Sequence, residues 1–218
     1  MKAKQIQLKF PDAFRNTVIR MGGFHIALNY LSLLGKKYAN SGLEDLLIES
    51  GVYAAGTTSV LMLGKSYNRG IQAHKLSMEA VFRLLWQAFL QWLENQTVEV
   101  TTQDRQNLKA KIQECQRCFK DNESIRKSCE AVVNDMDALT SLLTVFKSEG
   151  KAKSKLFSFW EEYIAMVMIL LQFIKAEITG NWNLHLSSTA AMIPHFFAMD
   201  RTNYSRWMPI YLARYAQA

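Results

Sequence analysis

The side chains able to do chemistry in this chain are few, and their spacing limits what each can do. Its 218 residues include three cysteines and four histidines. Cys115-Gln-Arg-Cys118 has the CxxC spacing that grips zinc or exchanges disulfides. Cys129 offers a third ligand, but no second CxxC or histidine pair completes a four-coordinate zinc site. On a helix Cys115 and Cys118 are i,i+3 neighbours, and Cys115 and Cys129 each fall on an apolar stripe, so packed thiols are expected. His25 follows Gly22-Gly23-Phe24, a turn at which a backbone approaches something closely and a functional side chain is well placed. His74 lies on the apolar side of a long periodic segment and is expected in the core. His185 and His195 are too far apart for an i,i+4 metal pair, and no HExxH, GxSxG, P-loop or GxGxxG occurs.

Carboxylates are the other requirement for hydrolysis or phosphoryl transfer. Glu44-Asp45, Glu161-Glu162, Glu177 and Asp200 are available. Glu161 and Glu162, beside Trp160, read as the wet edge of a buried helix. Glu177 stands apart because Trp182 and His185 follow it closely; the competing reading is a solvated helix end. Glu177, Asp200 and His25 are therefore the candidate catalytic residues, and they would act through a divalent metal. Without that reading, no cofactor and no metal site is expected. Two segments mix polar and aromatic residues, Gly64-Lys-Ser-Tyr-Asn-Arg-Gly70 and Met199-Asp-Arg-Thr-Asn-Tyr-Ser-Arg-Trp207. Arg and Tyr together clamp phosphates or stack on bases, which makes Tyr67, Arg69, Lys75, Arg201 and Arg206 candidates for nucleic-acid contact. Helix capping is the alternative, with Ser66 capping the long helix and Asp200 or Thr202 the last one.

The elements that must position these residues are helices. Phe24 to Tyr38 places Ile26, Tyr30, Leu33 and Leu34 on one side, and Leu43 to Ser50 forms a shorter helix. From Ser66 to Asn95, Ile71, His74, Met78, Phe82, Leu85, Phe89 and Trp92 keep one stripe. Such a helix is long for one small core, so a kink or break is expected in it. Phe159 to Ile174 is apolar nearly all round, as a central buried helix would be. Gly180-Asn181 ends it. Trp182 to Met199 follows, bent or broken at Pro194, and Tyr204, Trp207, Tyr211, Leu212 and Tyr215 mark a terminal aromatic helix. The best candidate for a strand is Thr17-Val18-Ile19 before Gly22-Gly23. The expected fold is mainly α: a multi-helix core from 1–96 and 156–218, at most one or two short strands near the N-terminus, and a polar helical hairpin inserted at 97–155. That hairpin breaks near Asp121-Asn122, and the Lys-rich stretch from Lys147 to Lys155 is its linker.

With 49% hydrophobic residues and only three prolines, the chain is neither collagen-like nor disordered. Three cysteines make no disulfide framework. The basic excess is uneven: residues 1–40 carry seven Lys or Arg against one acid, Asp12. Such a balance permits nucleic-acid binding without requiring it. The first ten residues hold no apolar run of signal-peptide length. Ile164 to Leu171 is about half of the roughly 20 residues a membrane span needs, so an intracellular protein of nucleus or cytoplasm, with no membrane partner, is expected.

Several blocks together carry a resemblance: Arg20-Met-Gly-Gly-Phe-His25, Ser41 to Ser50, Gly64 to Arg69 with His74-Lys75, Ala176-Glu-Ile-Thr-Gly-Asn-Trp182 with His185, and Phe197 to Trp207. In this order they resemble a large multicopy set of proteins, without assigned activity, that is expanded in invertebrate genomes, cnidarian and mollusc above all. The likeness covers 14–95 and 156–215. It implies descent from a transposon, with a degenerate RNase H-like transposase as the origin and Glu177 as its late-helix acid. Members continue upstream of the equivalent of Lys2, so a copy shortened at its N-terminus, lacking a first catalytic Asp, is expected.

Three functions remain open. The leading one is a non-catalytic, transposon-derived helical domain that binds DNA or RNA, or another copy of itself. The second is a metal-dependent phosphoryl-transfer enzyme using Glu177, Asp200 and His25. The third is a helical module that binds a protein partner.

Overall fold

In a computed structural model, residues 2–17, 19–95, 110 and 136–215 are described. Among them the chain is mainly α, as expected, with nine helices and no strand. The helices are α1 (Lys2–Lys9), α2 (Gly23–Lys37), α3 (Leu43–Glu49), α4 (Ala55–Met62), α5 (Tyr67–Asn95), α6 (Met136–Lys153), α7 (Lys155–Thr179), α8 (Trp182–Ala198) and α9 (Thr202–Tyr215). Cys115, Cys118, Cys129 and the expected break near Asp121-Asn122 lie outside the described residues.

The chain forms two compact units, one of residues 1–77 with 165–218 and the other of 78–164. The divisions fall inside α5 and α7, whereas the composition of the sequence shifts at 96/97 and 155/156. In the first unit α2 supplies the densest core, with Ile26, Tyr30, Leu33 and Leu34 buried as their spacing predicts and Ala27 and Leu31 buried beside them. Tyr30 meets Phe196 of α8 edge-on at 5.7 Å, and α8 and α9 pack along each other. His74 is buried and pushed down to about 4 by loss of hydration, the behaviour of a core histidine.

In the second unit α5, α6 and α7 share an aromatic core. Phe146 lies 5.5 Å from Phe89, 5.6 Å from Trp92 and 5.5 Å from Phe157. Glu161 is buried, not a wet edge: Lys151 reaches it at 2.7 Å and Lys147 at 3.2 Å. Burial raises its carboxyl, and hydrogen bonds from Lys151 and Lys147 outweigh that and hold it below the usual range. Those lysines belong to α6. The stretch expected as a linker is therefore helical through Lys153, and Ser154 caps α7 by accepting from the Phe157 N–H at 3.1 Å.

Other details differ from the sequence reading. Thr17 and Ile19 are irregular rather than strand, and Gln7 donates to the Thr17 carbonyl at 2.7 Å. Helices α1 and α4 form where no periodic signal was read. Helix α5 continues unbroken, and α8 runs through Pro194. The carbonyl of Arg201, not a side chain of Asp200 or Thr202, starts α9 by accepting from Tyr204 and Ser205 N–H. Among the described residues one helix, α7, is long and apolar enough to cross a membrane, a property that core helices of soluble proteins share.

Candidate functional site

Glu177 is brought to His185 by a local device. Gly180 adopts φ +67, the left-handed conformation that ends α7, and the Asn181 N–H closes the turn on the Ala176 carbonyl. Asn181 then starts α8, its side-chain oxygen accepting from the Leu184 N–H at 3.0 Å. The last turn of α7 thus folds back against the first turn of α8. Glu177 Oε1 comes to lie 2.7 Å from His185 Nδ1, although this buried nitrogen meets no oxygen with the directionality of a hydrogen bond. On the other side of the ring, His185 Nε2 is 2.9 Å from the Tyr211 hydroxyl of α9.

Arg20, from the irregular segment before α2, completes the cluster. Its guanidinium pairs with the same oxygen, Glu177 Oε1. It also lies over the Trp182 ring at 5.8 Å, and Trp182 in turn stacks on His185 at 5.1 Å, 14° from parallel. Room for the carboxylate exists because residue 23 is glycine: a β-carbon there would meet Glu177 Oε2 at 1.9 Å. The close approach expected at the Gly22-Gly23 turn is thus to Glu177.

Burial lowers the proton affinity of His185, the Glu177 charge raises it, and the Arg20 charge lowers it again; the net direction is down. The imidazole is therefore neutral at pH 7. Burial likewise raises the Tyr211 phenol above its ordinary value. It also raises Tyr67, with the Glu177 charge adding to the effect.

Beside this cluster opens a cleft of about 340 Å³. One wall is Ile19, Arg20, Met21, Gly22, His25 and Ile26; the other is a face of α9. Tyr204, Trp207, Tyr211 and Tyr215 step by three and four residues along that helix, so their rings share one side. The walls are tied together: Asn29 donates to the Tyr204 hydroxyl at 2.9 Å, and the Tyr215 hydroxyl donates to the Ile19 carbonyl at 3.5 Å. Charge around the cleft is one-sided. No acid occurs between Asp12 and Glu44, or anywhere in α9. Among the described residues Glu177 is the one acid in the adjoining cluster, and it is already paired.

The candidates read from sequence are distributed unequally. Glu177 and His25 belong to this region, His25 as a cleft residue. Asp200 instead lines a second hollow with Ser32, Lys36, Glu44 and Arg201. Among the described residues no three of His, Cys, Asp and Glu gather as metal donors, so the structure does not bring Glu177, Asp200 and His25 together. Of the nucleic-acid candidates, Tyr67 packs on Phe24 at 4.8 Å. Arg201 is half-buried and donates to Ser32 Oγ at 2.9 Å, a packing contact. Arg69, Lys75 and Arg206 are exposed, and Arg206 sits beside Trp207 on the cleft helix. Arg20 and Tyr211 were missed as site residues. The i,i+3/i+4 series of aromatic residues in α9 was the available signal for Tyr211; Arg20 had none beyond its place before the glycine pair.

No curated protein and no solved structure matches this sequence. Residues 1–218 match the family described as Domain of unknown function (DUF8702), and the chain belongs to that family.

Proposed function

We propose that this chain is a non-catalytic binding domain for single-stranded nucleic acid, with an unstacked base held in the α9 cleft. The observation that carries this reading is the cleft itself, a row of tyrosine and tryptophan rings between two elements that contribute only basic charge. Aromatic faces accept any base by stacking, and neighbouring cations attract the backbone. The cleft suits a base with its sugar rather than a duplex, and the exposed Arg206 stands next to a stacking residue.

The test is fluorescence anisotropy with a short labelled oligothymidylate at low salt. Trp207→Ala should weaken binding by roughly tenfold, the usual worth of one stacked base. The affinity should fall with salt at about 0.7 per phosphate contacted, as for single strands. Binding that is indifferent to Trp207→Ala would place the nucleic acid elsewhere, and no binding at low salt would reject the reading.

A further inference from the structure

The Arg20–Glu177–His185 cluster is more than a packing contact, because two potential cations meet one carboxylate oxygen. Arg20 and His185 Nδ1 both address Glu177 Oε1. One negative charge fully compensates one of them. In the present arrangement His185 is neutral and Arg20 holds the carboxylate. Yet Arg20 also lines the cleft, and its side chain is 48% exposed there. His185 is buried at 1% exposure, with Nδ1 close to the oxygen but lacking a directed hydrogen bond. The second cation is therefore already in place, awaiting only a proton.

We propose that Arg20 is a phosphate-binding residue of the cleft and that His185 controls it. A proton on His185 turns Nδ1 into a charged partner for Glu177, and the guanidinium is released toward an anionic group in the cleft. The groups facing this exchange are Glu177 from α7, Arg20 from the segment before α2, Tyr211 from α9 and Tyr67 from α5. Only Glu177 carries negative charge at neutral pH. Tyr211 adapts without ionising: its hydroxyl donates to neutral His185 Nε2 and accepts from the protonated ring. The balance is simple. One proton enters from solvent, one ion pair is exchanged for another, and no covalent bond changes. Because the phosphate draws Arg20 away from Glu177, its binding should in turn favour protonation of His185. This inference rests on the nucleic-acid reading for the source of the phosphate, not for the exchange itself.

The experiment follows oligothymidylate, whose bases do not titrate in the range, from about pH 7.5 to about pH 5, where a histidine changes charge. Wild type should bind roughly tenfold more tightly at the acidic end, the worth of one charge-assisted contact. Glu177→Gln, which leaves Arg20 without its partner, should bind tightly at both ends. His185→Gln and Arg20→Ala should both bind weakly with little dependence on pH. A flat wild-type profile overturns the proposal, as does a pH response that survives His185→Gln.

A second measurement on wild type needs neither nucleic acid nor a variant. The Arg20 Nε–H resonance should respond to inorganic phosphate at acidic pH and not at neutral pH. No such response overturns the phosphate site. A response to phosphate without any oligonucleotide binding keeps the site and rejects the nucleic-acid reading.

Discussion

Gly23 lacks a side chain where Glu177 needs the space. A β-carbon at 1.9 Å from Oε2 cannot be accommodated without moving the carboxylate, and moving it breaks the contacts with Arg20 and His185. Gly23→Ala should therefore release Arg20 without a proton on His185, raising oligonucleotide binding at neutral pH and flattening its dependence on pH. It should also lower stability by about 1–3 kcal/mol, the usual cost of overpacking; paired anisotropy and urea-denaturation measurements check both. At this scale the sequence was partly legible. Glu177, Trp182 and His185 stand close along the chain, and the glycine pair announced a close approach. Arg20 was not legible as their partner, because 157 residues separate it from Glu177 and no local pattern encodes so distant a contact.

Helices meet where a small residue lets two backbones approach. Gly35 of α2 does this for α4: an added β-carbon would lie 1.9 Å from the Met62 carbonyl oxygen. A backbone atom cannot swing aside as the end of a side chain can. Gly35→Ala should cost about 3 kcal/mol or somewhat more, read as a lowered urea midpoint, and should leave the isolated spectroscopic signature of helix largely intact. The lysine-rich end of α6 teaches a different lesson. Four lysines around a glycine read as a solvated linker, because composition alone does not show that two of them, one turn apart, share a buried carboxylate on the next helix. Glu161→Gln leaves both without a counter-charge and should destabilise the chain by about 2 kcal/mol. Helices α2 and α5 were legible from their apolar stripes, α7 from being apolar nearly all round and α9 from its aromatic residues. Helices α1 and α4, both short, were not; α4 is held by its packing on α2 and α3 rather than by pattern.

Across the whole molecule, acid should be the condition that weakens the fold. His74 is buried with its proton affinity lowered to about 4, and burial lowers that of His185 as well. The unfolded chain therefore binds these protons first, from about pH 6.5 downward. Stability is complete above that point and falls as the pH drops toward 4. For His74 alone the full loss is on the order of 3 kcal/mol. Urea unfolding at pH 7 and at pH 5 should show it, with His74→Gln flattening the dependence while lowering stability at pH 7. The phosphate switch proposed for the cleft would thus operate in the range where the fold begins to lose stability, so the two effects must be measured separately. Mainly helical architecture followed from composition and periodicity. The division into two units did not, because its boundaries fall within continuous helices where no change of composition marks them.

The first unit is assembled from the two ends of the chain, and this sets an order of events during synthesis. Gln7 accepts a hydrogen bond from Arg214 across 207 residues, and Tyr215 reaches back to Ile19. A ribosome delivers residues 78–164 in full before any of 165–218, so the middle unit can settle first. Until α8 emerges, Tyr30 of α2 lacks the Phe196 ring that packs on it. The nascent chain must carry that ring uncovered while residues 78–164 are made, and it is during this interval that a chaperone would find it.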